Sequence, residues 1–201
     1  MAAKILLKKE QIVKKVFLYT VAAMILFTST GRAATYSSGP YEGKVVDAGT
    51  QRPIVGAVVL AIWYREAALF GGHGPAVDYH DSLEILTDTQ GEFTIPEKAH
   101  FTLIGRIREP EIVVYYPGYA YYPSLQAWPQ GEGVEAAYKQ KRFLFALSKL
   151  ITRQERMKLA GLPLGTGKVP ENKMPTLIRL VNQELKNLGL PLIKGAEEKK
   201  P

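Results

Sequence analysis

The chain has 201 residues, of which 46% are hydrophobic, so it has the length of one domain with appendages and enough apolar surface for a real core. It has no cysteine, which excludes disulfides, thiolate metal sites, cysteine nucleophiles and a lipid-modified cysteine anchor. The net charge of +7 is concentrated at the N-terminus: Lys4, Lys8, Lys9, Lys14, Lys15 and Arg32 face only Glu10, leaving +2 for the rest. With no Lys/Arg run interleaved with aromatics, nucleic acid is not an expected partner.

Residues 1–33 have the order of a secretory leader. Lys14 and Lys15 precede the apolar run 16–27, and Gly31 and Ala33 supply small side chains for cleavage after Ala33, with Ala34 nearly as good. A run of about a dozen residues is short of the ~20 that span a bilayer, so membrane contact is expected only through the leader before its removal. The expected location is periplasmic or secreted.

Residues 34–40 read as a flexible lead-in. Strand-like runs follow at 41–47 and 54–65, the first closed by turn residues and the second β-branched and apolar despite Gly56. Residues 66–82 form a Gly/His/Asp-rich insertion. Strand 83–87, turn Asp88–Gly91 and strand 92–95 read as a hairpin. Shorter runs at 101–104, 111–116 and 141–147 bring the total to about seven strands, the pattern of a β-sandwich. Inward candidates are Val45, Val58, Leu60, Ile62, Leu86, Phe93, Ile95, Val114 and Leu144 or Phe145.

The domain is expected to run over 41–150, with a helical tail over 151–201. Thr152 is placed to cap a first helix stopped by Gly161, and Thr176 a second one ending at Gly189. Leu177, Leu180, Val181 and Leu188 make an apolar stripe that must dock, with the sandwich favoured over a partner. Since 41–147 is a complete strand set, the sandwich is expected to fold without residues 170–201, and residues 196–201 to fray.

Four segments, in order, resemble the carboxypeptidase regulatory-like family: Gly43-Lys44-Val45-Val46-Asp47 with Thr50, Pro53 through Val59, Thr87 through Ile95, and Tyr116-Pro117-Gly118-Tyr119. The resemblance covers about 41–147 and implies a seven-stranded Greek-key-type sandwich of prealbumin-like form, with a scaffold or accessory role. The insertions at 66–82 and 119–140 depart from the family pattern. Enzymes of this fold are known, but the Tyr-Arg-Gly-Ser-type signature of hydroxyisourate hydrolases and the His-x-His pair of intradiol dioxygenases are missing from the sequence.

Two groups of residues suggest chemistry. His73, Asp78, His80 and Asp81 carry metal-ligating side chains within nine positions, although their spacing matches no compact ligand set. They support a metal-dependent hydrolase as one alternative. Tyr119, Tyr121, Tyr122 and Trp128 lie in a Tyr/Pro/Gly-rich stretch and could stack on sugar rings, which supports a carbohydrate-binding module as another. Gly165-Thr166-Gly167-Lys168 lacks the full spacing and preceding strand of a phosphate loop. The leading expectation is a non-catalytic exported scaffold or interaction module without a cofactor, engaging an envelope protein or glycan.

Overall fold

A computed structural model describes residues 34–68, 75–124 and 134–193. The leader and its cleavage site lie outside the described residues, as do His73, Trp128 and the segment 196–201.

The described chain is mainly β. Nine strands run through it: β1 (Ala34–Ser38), β2 (Tyr41–Asp47), β3 (Val58–Ala68), β4 (Pro75–Leu86), β5 (Glu92–Ile95), β6 (Lys98–Thr102), β7 (Arg106–Ile107), β8 (Glu111–Tyr115) and β9 (Arg142–Leu147). Among the described residues three α-helices accompany them, α1 (Val134–Gln140), α2 (Arg153–Lys158) and α3 (Pro175–Leu188), with one short 3-10 helix at Glu171–Lys173.

One sheet has the order β5-β2-β9, with β2 antiparallel to β5 and parallel to β9. In the other, β3 pairs with β4 on one side and with β8 and β7 on the other. Tyr41, Val45, Phe93, Ile95, Phe143, Phe145 and Leu147 from the first sheet meet Val59, Ala61, Trp63, Ile112 and Val114 from the second in one buried core. Gly43 keeps β2 close to this core, because a Cβ there would sit 2.4 Å from the Phe93 ring.

Alternate residues of β3 and β8 point away from that core. Val58, Leu60, Ile62, Tyr64, Val113 and Tyr115 form a second apolar face, and α3 covers it with Leu177, Ile178, Leu180, Val181 and Leu185. The fold is therefore three layers deep. Arg156 of α2 grips Glu184 of α3 through two 2.6 Å hydrogen bonds, fixing the two tail helices to each other.

Several sequence expectations are corrected. Residues 34–40 are no flexible lead-in, because β1 pairs with β6 and buries Ser38. Strands 83–87 and 92–95 form no hairpin. The turn does close, with Gly91 N–H donating to Asp88 O, but β5 crosses to the other sheet and pairs with β2. The insertion at 66–82 is largely ladder, since β3 and β4 pair from Val58↔Leu86 out to Ala68↔Pro75.

Val58, Leu60 and Ile62 are buried, but under α3 rather than between the sheets, while Leu86 and Leu144 are exposed. Val45, Phe93, Ile95, Val114 and Phe145 do face the sandwich core. Thr152 caps α2 in a reciprocal box with Glu155. Thr176 caps nothing: α3 starts at Pro175, without a side-chain bond from the residue before it.

Candidate functional site

A β-bulge decides where the His/Asp residues of β4 stand. Trp63 pairs with Asp81 and Tyr64 with Tyr79, leaving His80 as the extra residue. Val77 and Tyr79 consequently pack on the helix side of the sheet, whereas Leu83 and Ile85 pack on the sandwich side. Without the bulge all four would share a face. It also lets the consecutive residues His80 and Asp81 both meet β6.

Four strands contribute to this cluster. The Trp63 indole N–H donates to Ser38 Oγ at 2.8 Å, and His100 Nε2 lies 3.4 Å from the same oxygen. The His100 ring sits 4.9 Å from Trp63 and 5.2 Å from His80, centroid to centroid. Lys98, two residues before His100 on the same strand, pairs with Asp81 and lies 5.3 Å over the Trp63 ring. Lys173 approaches the other Asp81 oxygen at 3.6 Å.

Burial, the neighbouring His80 and the Lys98 ammonium together lower the His100 pKa, against a smaller pull from Asp81. Burial alone would raise the Asp81 carboxyl, but Lys98 and the Ser82 N–H hold it below the usual carboxylate range.

This arrangement separates the four metal candidates. Asp78 pairs with Arg65 at 3.3 Å, Asp81 is held by lysines, and His80 faces a second imidazole. His73 lies outside the described residues. No group of three or more His, Asp or Glu able to hold a metal occurs among the described residues. Ser38 and His100 resemble a nucleophile and base in type, but they are only 2% and 3% exposed and the serine oxygen already accepts from Trp63.

The aromatic candidates divide differently. Tyr121 and Tyr122 are 7% and 8% exposed, so neither ring presents a face to a sugar. Tyr121 packs under α3, and Tyr122 contacts Phe145 between the sheets. Tyr119 is half-buried and its hydroxyl donates to Asp47 at 2.9 Å. Burial and this bond push its pKa up to about 12. Trp128 lies outside the described residues.

Two features near the same β6–β8 stretch escaped the sequence reading. Glu109 accepts hydrogen bonds from the Tyr36 and Tyr41 hydroxyls, the former at 2.7 Å, beside a cavity of about 560 Å3 lined also by Ile107, Arg108 and Tyr138. Burial and Glu109 push the Tyr36 pKa up to about 12.

The second feature is the β6–β7 turn. Phe101, Leu103 and Ile104 are 58%, 71% and 70% exposed. The turn is fixed from within: Thr102 is buried and its hydroxyl donates to Ile104 O at 2.7 Å. Gly105 has φ of +87° and lies so close to β3 that a Cβ would stand 2.3 Å from Glu66 O. The run Phe-Thr-Leu-Ile reads as a strand by composition; the Gly that ends it was the available sign of a turn. No family model, curated protein or solved structure matches the chain.

Proposed function

We propose that this chain is a non-catalytic, exported β-sandwich interaction module whose docking element is the β6–β7 turn. The observation that carries this reading is the exposure of Phe101, Leu103 and Ile104 within four residues of a turn pinned to β3. Single exposed apolar residues are ordinary on protein surfaces, but a group of them close together in one turn is a candidate binding surface. The other exposed large apolar residues, among them Val55, Leu86, Ile151, Met157, Leu164 and Leu192, are separated from one another in sequence.

The non-catalytic part rests on how the polar side chains are used. Asp81 neutralises lysines, Asp78 pairs with Arg65, and Ser38 and His100 are sealed against Trp63. Export rests on the leader's basic, apolar and small-residue order. We read the strands between 41 and 147 as a prealbumin-like sandwich of the carboxypeptidase regulatory-like type, to which β1 and α3 are additions. The turns built on Asp47 and on Asp88–Gly91 support this reading.

The test is a photo-crosslinking residue placed at Leu103 in cells, with exposed Thr94 as the control position. A specific adduct in the envelope fraction from position 103 alone is the expected result. Equal profiles at the two positions, or retention of the protein in the cytoplasm, would overturn the proposal.

A further inference from the structure

We propose that the β6–β7 turn docks on an anionic phospholipid surface, an inference that rests on reading this turn as the docking element. It adds a membrane contact by the folded domain to the one expected of the leader. Three observations carry it.

The first is shape. Exposed Phe101, Leu103 and Ile104 surround a buried Thr102 where the chain passes from β6, paired with β1, to β7, paired with β3. We read these three side chains as an apolar wedge suited to a fluid acyl boundary.

The second is charge. Arg106 and Arg108 follow the wedge directly, and both are exposed. Arg106 has a 77% exposed side chain although it forks onto Glu66, and Arg108 has no side-chain partner among the described residues. Glu109 and Glu111 are exposed in the same stretch, and Glu109 already accepts from the hydroxyls of Tyr36 and Tyr41, which leaves Arg108 as the cation directed to the lipid. Apolar side chains backed by arginines suit a bilayer whose phosphates lie just above its acyl chains.

The third is backbone chemistry. A turn entering an apolar boundary must hide its polar groups. One of these groups is hidden in this way: the Ile104 carbonyl accepts from the Thr102 hydroxyl.

The experiment is co-sedimentation of the exported chain, after removal of the leader, with phosphatidylcholine vesicles prepared with and without phosphatidylglycerol. It compares wild type, the triple variant Phe101→Ser/Leu103→Ser/Ile104→Ser, and Arg108→Glu, all with the same N-terminus. The replaced side chains are exposed, so an unchanged melting curve controls for folding. Wild type is expected to bind the phosphatidylglycerol vesicles, the triple variant about tenfold or more weakly, and Arg108→Glu to lose only the preference for anionic lipid.

Because the chain has no cysteine, Leu103→Cys also accepts a single polarity-sensitive dye. Its emission should shift to the blue on phosphatidylglycerol vesicles. Equal binding by wild type and the triple variant, or no binding and no dye shift, overturns the lipid assignment. If a specific protein adduct from position 103 persists in cells in that case, the turn is a docking element with a protein partner.

Discussion

Glu84 of β4 closes the N-terminus of α3 across more than ninety residues of sequence: its two carboxylate oxygens accept the backbone N–H groups of Leu177 at 2.7 Å and Thr176 at 2.9 Å. The first turn of a helix has unpaired N–H groups and a partial positive charge, and the residue before Pro175 supplies no side-chain cap. Glu84 does from the sheet what Ser or Asp usually does from within the chain. Glu84→Ala should therefore lower stability by about 1–2 kcal/mol, and Glu84→Gln by less, because the amide oxygen still accepts one bond. Denaturant melts of the three proteins measure this. Equal midpoints would mean that α3 is held by its apolar face alone.

That apolar face makes the strongest stability prediction. Leu177, Ile178 and Val181 are almost fully buried against the outer side of β3 and β8. Leu177→Ala should cost about 2–5 kcal/mol, the range for a large-to-small change in a packed core. Deleting residues 170–201 would strip Val58, Leu60, Ile62 and Tyr115 of their cover. The expected product aggregates or binds apolar dyes and lacks a cooperative melt. A soluble, cooperatively melting truncation would show that the two-sheet core folds alone.

The sequence-based expectation that the sandwich folds without residues 170–201 rests on reading β3 with one buried face, and the deletion decides between it and the prediction above. Residues 58–64 are continuously apolar, and such a run fits a strand buried on both faces as well as it fits a half-buried one. The stripe Leu177, Leu180, Val181 and Leu188 and the double-sided run 58–64 are two halves of one contact, and neither alone names the other. The mainly β character, the turn at Asp88–Gly91 and the cap at Thr152 were legible because local residues determine them. The bulge at His80 was not, since it exists only in the pairing of β4 with β3. The group of Trp63, His100 and Ser38 was equally hidden, because β1 and β6 are short and their pairing links residues about sixty apart in sequence.

Asp47 makes a testable corner of the fold. Its carboxylate accepts the backbone N–H groups of Gly49 at 2.9 Å and Thr50 at 2.8 Å, and the Tyr119 hydroxyl at 2.9 Å. The Thr50 bond first, and the Tyr119 and Gly49 bonds with it, hold its pKa below the usual value in spite of burial. The native state thus favours the charged form. The stability this contributes is present above the unfolded carboxyl pKa of about 3.9 and is lost as pH falls through the lower folded value. Asp47→Ala should cost about 1–3 kcal/mol at neutral pH, and Tyr119→Phe about 1 kcal/mol. Asp47→Asn should flatten the acid limb of the stability curve below pH ~4. An unchanged acid limb in Asp47→Asn would remove this residue from the account.

The paired imidazoles predict a second pH dependence, at higher pH and of the same sign. His100 is buried, faces His80 and Lys98, and has its pKa lowered in the folded state, while Asp81 offsets this only in part because Lys98 and Lys173 already engage it. The remaining neighbours, Trp63 from β3 and Ser38 from β1, are neutral. The unfolded chain, with a histidine pKa of about 6.5, binds the proton more readily than the native one. Stability should therefore be complete above pH ~6.5, fall as pH drops from there through the folded pKa of His100, and level off below it. His100→Gln keeps an amide able to reach Ser38 and removes the titration, so its melting temperature should change less between pH 7.5 and 5.5 (about one unit either side of the unfolded pKa). His80→Gln removes the repelling neighbour and should shrink the loss without abolishing it. The β1–β6 ribbon carries Ser38 and His100, so its amides should exchange faster at the acid end of this range in wild type and not in His100→Gln. Parallel pH profiles for wild type and His100→Gln would sink the prediction, because the loss would then belong to groups outside this cluster.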